Sequence, residues 1–319
     1  MCKIVVLDGF AANPGDLSWD RFKELGELTV YDRTASAEAA ARISDADIVI
    51  TNKVVFDEEL ISACPRLKCI AVLATGYNTI DLDSARRHGV AVCNVPGYST
   101  DSVAQLVFGF ILDNACRVSL HSDWVRRGGW QQSPDFSHFV LPVTELCGKT
   151  IGIVGYGSIG RRAAVIALAF GMRVLAYGRH LTDADCGEGV EAVSLDRLYA
   201  ESDYISLHCP LNDDSNKMIN SDSLAKIKKG AFLVNTARGG LIDESALAEA
   251  LNSGHLSGAG LDVVTREPIS ADSPLLTAKN CVITPHIGWA TYEARTRLFG
   301  VLYDNLSVFL NGGRQNRVD

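Results

Sequence analysis

Three short segments, each following an apolar run, carry residues able to do chemistry: Asn235-Thr-Ala-Arg-Gly-Gly240, Leu261-Asp-Val-Val-Thr-Arg-Glu267-Pro268 and Thr284-Pro-His286-Ile-Gly-Trp289. Ligands of open α/β sheets bind outside the carboxyl ends of strands, so these are positions from which side chains reach a substrate. Histidine is the side chain best suited to exchange a proton near neutral pH. A carboxylate beside it favours the imidazolium and selects the ring tautomer. Arginine adds a permanent cation whose fork matches a carboxylate. Each residue also has a plainer reading, since a histidine next to a proline is often a turn residue and an Arg and a Glu often form a surface pair.

A fourth segment has a more specific pattern. Thr150-Ile-Gly-Ile-Val154 reads as a buried strand, followed at once by Gly155-Tyr-Gly-Ser-Ile-Gly160 and a helix expected to begin with Arg161. In such a turn Gly155 allows the tight bend, Gly157 lets backbone approach a pyrophosphate, and Gly160 lets helix and strand pack closely. Helix N–H groups then face the phosphates. About 20 residues on, an NAD site carries an acid for the ribose 2′-hydroxyl, but here Gly178 stands at the end of the second strand with Arg179 after it. Arg179 either pairs with a 2′-phosphate, which favours NADP(H) over NAD(H), or is a solvated surface arginine.

The elements that must position these residues alternate. Lys3 to Leu7, Leu28 to Tyr31, Asp47 to Thr51, Lys68 to Leu73 and Val90 to Cys93 read as buried strands, with amphipathic helices such as Ala37 to Ser44 and Asp57 to Cys64 between them. That alternation predicts a parallel sheet covered on both faces. Pro96-Gly97 breaks it, and a long apolar helix follows from Thr100 or Asp101. The stretch Arg126 to Leu141 reads as an irregular excursion. From Thr150 six further strands are expected, ending with Val282 to Thr284, enough for a second doubly wound sheet. The final helix, Tyr292 to Leu310, follows the completed sheet and is expected to return to the first unit.

Composition narrows the partners. A chain of 319 residues suggests two domains, and 47% apolar with 21% charged residues is the balance of a globular protein. The net charge of −8 argues against nucleic acid and anionic membrane surfaces. Nine scattered cysteines, with no Cys-x-x-Cys pair, read as reduced thiols and predict no metal site. Met1 to Asp8 reads as a strand rather than a signal peptide, and no apolar run is long enough to span a membrane, so a cytoplasmic location is expected.

The four motifs in this order, the glycine turn being preceded by Glu145-Leu-Cys-Gly-Lys149, resemble the D-isomer-specific 2-hydroxyacid dehydrogenase family over nearly the whole chain. The resemblance implies two doubly wound parallel-sheet α/β domains with a cleft between them. One is a flavodoxin-like substrate domain over 1–98 and 287–319, the other a Rossmann dinucleotide-binding domain over 99–286. It implies reduction of a small 2-keto acid by NADH or NADPH, with Arg238 holding the substrate, His286 as acid/base and Glu267 as its carboxylate partner. It also maps Thr75 and Gly76 onto a substrate-carboxylate loop, where the family often has an acid at the place of Asn78. Trp289 either walls the substrate pocket or packs in the core. For the cofactor it implies Gly155, Tyr156, Gly157, Ser158, Ile159, Gly160, Gly178, Arg179, Cys209, Pro210, Thr236, Ala237, Arg238, Asp262, His286 and Gly288, with the Asp262 carboxylate accepting from the nicotinamide amide. Gln105 replaces the family's usual acid at the first crossing. A homodimer through the dinucleotide domain is implied, with the helix Ser102 to Leu112 and the excursion after it as interface material.

Within the family, Leu7-Asp-Gly, Asn13-Pro-Gly-Asp-Leu-Ser-Trp19 and Thr51-Asn-Lys53 most resemble bacterial glycerate dehydrogenases, also called hydroxypyruvate reductases. Glyoxylate reductases, broad 2-keto acid reductases and non-catalytic dinucleotide-sensing corepressors are the alternatives within the same fold.

Overall fold

Short aliphatic runs become strands where both faces are covered, and the computed structural model, which describes all residues 1–319, follows that rule twice. In the first unit, Met1–Ser99 with Trp289–Asp319, strands β1 (Lys3–Val6), β2 (Glu27–Val30), β3 (Ile48–Thr51), β4 (Cys69–Val72) and β5 (Ala91–Cys93) form a sheet in the order β2-β1-β3-β4-β5. All pairings are parallel. The interior strands β3 and β4 are buried along their whole length, whereas the edge strand β2 is largely exposed. Helices α1 (Ser36–Ile43), α2 (Glu58–Ser62) and α3 (Leu82–Arg87) make the crossovers. Asp57 and Asp81 start the last two by accepting from the N–H groups of Leu60 and Ser84.

The second unit, Thr100–Gly288, opens with α4 (Thr100–Cys116) and α5 (Val118–Arg126), then alternates through β6 (Thr150–Val154), α6 (Ser158–Ala169), β7 (Arg173–Tyr177) and β8 (Val190–Ala192). It continues with α7 (Leu195–Glu201), β9 (Tyr204–Leu207), α8 (Ser221–Lys226), β10 (Phe232–Asn235), α9 (Glu244–Asn252), β11 (Gly258–Leu261) and β12 (Cys281–Ile283). The sheet has seven strands, ordered β12-β11-β10-β9-β6-β7-β8, rather than the six expected. The extra strand β8 is Val-Glu-Ala and only partly buried, so no apolar run announces it. It exists because β7 would otherwise be the edge, and pairing Val174 with Val190 satisfies its backbone. One face is packed by Val107 and Phe110 of α4 and Ala163 and Ala167 of α6, the other by Leu198, Leu224, Leu247 and Leu251. Because every strand is parallel, all carboxyl ends share one edge.

Helix α10 (Tyr292–Leu310) belongs to the first unit, where Leu298, Leu302 and Leu306 pack against Ile4, Val6, Ile48 and Ile50. Arg295 near its start donates to both carboxylate oxygens of Asp16 at 2.6 Å. No single helix of the chain is long and apolar enough to cross a membrane.

Leu302 is wholly buried at this packing. Leu302→Ala should cost the first unit about 2–5 kcal/mol, read as a lower urea midpoint. An unchanged midpoint would mean that α10 contributes nothing to that core.

Candidate active site

The glycine turn lies at the carboxyl end of β6, and its geometry divides the labour among three glycines. Gly155 has φ +98° and sits so close to the next strand's loop that a Cβ would lie 2.5 Å from the Cys209 nitrogen. Helix α6 starts at Ser158, not at Arg161 as expected, with Gly157 as N-cap. The reason is that Gly160 must fall inside the first turn, where a Cβ would be 2.2 Å from the Gly155 carbonyl oxygen. Around Gly157 itself a Cβ would meet nothing within 4 Å, and no side chain caps α6, in contrast to α2 and α3. Uncapped N–H groups facing open space are a cradle for a pyrophosphate. Past β10 the buried Thr236 hydroxyl has no hydrogen-bond partner, a second polar group awaiting one. These residues fit a dinucleotide.

Tyr156, Ser158 and Ile159 belong to that turn and the helix it opens, and Cys209 lies against it. Tyr156 lies 4.5 Å from the Arg161 guanidinium and accepts from the Gly187 N–H, while Ser158 and Ile159 form the first turn of α6. The Cys209 thiol lies 3.6 Å from the Met218 sulfur, and burial pushes it up, so it is held as an inert thiol. The Pro210 carbonyl accepts from Ser215 at 2.7 Å. Arg179, following Gly178, is ion-paired with Asp214, a partner that no motif signals.

The strands β10, β11 and β12 are neighbours, so the three chemically equipped segments emerge side by side. Asn235 is fully buried, and its amide donates to the Arg238 carbonyl at 2.8 Å and accepts from the Ala237 N–H at 3.0 Å. Arg238 is therefore presented from a fixed turn, exposed, with Nη1 donating to the Ala237 carbonyl at 2.7 Å. A Cβ on Gly239 would lie 1.9 Å from the Val264 carbonyl carbon, so the Arg238 turn rests directly on the loop that carries Glu267. Glu244 fastens that loop, accepting from the Thr265 N–H at 2.7 Å. Neither supporting role carries a sequence signal of its own, because an amide two and three residues from its partners and an acid at a helix start are both common residue types.

His286 and Glu267 meet directly, Nδ1 to Oε2 at 2.6 Å, each side chain about a third exposed. His286 adopts φ +56°, a conformation disfavoured for a residue with a Cβ. Asp262 compensates. Its carbonyl accepts from the His286 N–H at 2.9 Å. Oδ1 accepts from Thr284 Oγ1 at 2.6 Å and the Ile287 N–H at 2.8 Å, and Oδ2 from the Gly288 N–H at 2.7 Å. Any bond from Asp262 to a nicotinamide amide thus falls to the remaining acceptor position on Oδ2. In the first unit, Thr75 donates to the Val95 carbonyl at 2.8 Å, and Asn94 donates to the Thr75 carbonyl, which sets the loop carrying Gly76. Trp289 packs on that unit's core, edge-on to Tyr98 with ring centroids 6.5 Å apart.

The profile described as "D-isomer specific 2-hydroxyacid dehydrogenase, NAD binding domain" matches residues 108–288, which include the glycine turn, Arg238, Asp262, Glu267 and His286. The chain belongs to this family. The dehydrogenase is 46% identical to the hydroxypyruvate reductase of Blautia hydrogenotrophica and 37% identical to the glycerate dehydrogenase of Methylorubrum extorquens, in each case over 99% of both chains. Among solved structures it resembles an acyclic imino acid reductase in complex with NADPH and D-Arg, with TM-score 0.87 and 32% identity over 99% of this chain and 100% of that one.

As an oxidoreductase of this family the dehydrogenase binds a nicotinamide dinucleotide, which when bound supplies the hydride. With Nδ1 committed to Glu267, Nε2 is the His286 ring nitrogen not used in that contact. Another histidine lies in the loop whose backbone adjoins the glycine turn. His208 adjoins Gly155, its imidazole lies 2.9 Å from the Ser206 hydroxyl, and burial pushes it down from 6.5 to about 4, although the residue as a whole is only half-buried.

A histidine held neutral in the fold but free to protonate when unfolded stabilises the fold fully above the unfolded value. That stability is lost as pH falls from about 6.5 towards about 4. The loss attributable to His208 should reach at most about 3 kcal/mol. Urea unfolding of the wild type and His208→Gln between pH 7 and 4.5 should show a shallower decline in the variant. Parallel declines would remove His208 from the account.

Proposed function

We propose that the dehydrogenase reduces hydroxypyruvate to D-glycerate with NADH or NADPH. The observation that carries the reading is the 2.6 Å contact of His286 Nδ1 with Glu267 at strand ends adjoining the Arg238 turn. In this reading Arg238 binds the substrate carboxylate and orients its carbonyl. His286 Nε2 gives its proton to the carbonyl oxygen as the carbon gains hydride, and Glu267 stabilises the imidazolium and keeps the ring oriented. The relatives named as a hydroxypyruvate reductase and a glycerate dehydrogenase support the substrate. Glyoxylate, which lacks only the hydroxymethyl group, is the neighbouring substrate.

The cofactor reading follows Gly178 and Arg179. No carboxylate stands at the end of β7 to repel a 2′-phosphate, and a cation follows, so NADPH should serve at least as well as NADH. The imino acid reductase solved with NADPH is in keeping with this. The nine cysteines are free thiols, which suits a cytoplasmic enzyme.

A homodimer is part of the same proposal. The segment after α4 exposes Val118 at 65%, Trp130 at 51%, Phe136 at 91% and Phe139 at 70%, large apolar side chains best covered by a second copy. Sedimentation should show a dimer for the wild type and monomers for Phe136→Asp with Phe139→Asp. A monomeric wild type would contradict this.

The decisive assay follows nicotinamide absorbance with a panel of 2-keto acids, and hydroxypyruvate should give the highest kcat/KM. His286→Ala should lower turnover about 10²- to 10⁴-fold while dinucleotide binding survives. Arg238→Lys keeps the charge but loses the fork, so KM should rise and kcat fall together. Wild-type turnover in either variant, or dinucleotide binding with no reduction of any 2-keto acid by the wild type, would sink the assignment.

A further inference from the structure

We propose that Asp214 sets the choice between the two dinucleotides by holding Arg179 across the adenosine end of the site. The inference rests on the reading above that Arg179 faces the ribose 2′ position. Strand β6 lies between β9 and β7, so the loops that follow β9 and β7 rise on either side of the glycine turn. Arg179 comes from the first residues after β7 and Asp214 from the loop after β9, and their side chains meet in an ion pair. The pair spans the turn above which an adenosine ribose must lie when the pyrophosphate sits on α6.

Asp214 is presented by an ordered loop. The Asn212 side-chain oxygen accepts from the N–H groups of Asp214 and Ser215, each at 3.1 Å, and Ser215 Oγ accepts from the Asn212 N–H at 2.8 Å. Both members of the pair remain open to solvent, 60% and 71% exposed, so a ligand can separate them at small cost. In this arrangement the carboxylate missing at Gly178 is supplied from the opposite wall. At 178 itself a Cβ would lie 3.2 Å from that of Leu181, a tight contact.

Two opposed effects follow. A 2′-phosphate must take Arg179 away from Asp214 and then lie beside an uncompensated carboxylate, whereas a 2′-hydroxyl can donate to Asp214 and leave the pair intact. Arg179 therefore pulls towards NADPH and Asp214 towards NADH, and removing either should move the preference in opposite directions. Exposed pairs and like-charge contacts at this range are each worth a factor of a few, so the expected changes are about three- to tenfold.

The test measures affinity, apart from turnover, by calorimetry with adenosine 2′,5′-bisphosphate and AMP, and by protein fluorescence with NADPH and NADH. Asp214→Asn should bind the bisphosphate and NADPH about three- to tenfold more tightly, with AMP and NADH changed less than about twofold. In Arg179→Ala with Asp214→Asn that gain should vanish, since the two side chains act on one phosphate. If Arg179→Ala selectively weakens NADPH but Asp214→Asn leaves bisphosphate affinity unchanged, or shifts AMP equally, the role of Asp214 is overturned while that of Arg179 stands. If Arg179→Ala weakens NADH and NADPH alike, the reading of Arg179 falls, and the role of Asp214 with it.

Discussion

The candidate site depends on one buried carboxylate. Asp262 is 2% exposed at the end of β11, and burying an ionised group is costly unless donors replace the lost water. The donors are Thr284 Oγ1 and the N–H groups of Ile287 and Gly288, all within five residues of one another. Satisfying Asp262 therefore folds residues 284 to 288 into a single turn. His286 takes its unusual φ inside that turn, with its own N–H bound to the Asp262 carbonyl. The strain is local, while the interactions that pay for it come from a neighbouring strand end.

The same economy of neighbouring strand ends sets the other groups. The buried Asn235 amide shapes the turn that presents Arg238, and the absence of a side chain on Gly239 lets that turn lie against the Glu267 loop. Glu244 then fastens the loop from the start of α9. The His286–Glu267 pair and Arg238 are thereby held by different elements that touch one another through backbone. Such contact leaves little freedom for one group to drift relative to the next, which is what orientation of a reacting carbonyl requires.

The dinucleotide end of the sheet is built on a different principle. There the chain withholds side chains, at Gly155, Gly157 and Gly160, and leaves the amino end of α6 uncapped. Backbone N–H groups and helix dipole are suited to attract an anion there without a cluster of lysines, in a protein whose net charge of −8 would repel a polyanion.

Periodicity and spacing by themselves pointed to the two parallel sheets and the glycine turn, because each is written in neighbouring residues, while the return of Tyr292 to Leu310 was expected only because that helix follows a completed sheet. Arg238, Glu267 and His286 were likewise legible as chemical types in motifs of family order. The strand β8 was not, since three partly exposed residues pair only because β7 leaves an open edge. Nor were the early start of α6, the partnership of Arg179 with Asp214, or the supporting roles of Asn235, Glu244 and Asp262. The pairing of β8, the ion pair of Arg179 and the contacts of Glu244 and Asp262 arise between segments distant in sequence, where the order of strands decides which side chains meet, while the start of α6 and the Asn235 turn are local and set by close packing. A single chain read in one dimension carries the residue types, and only the folded sheet brings a donor on one strand end within 3 Å of an acceptor on the next.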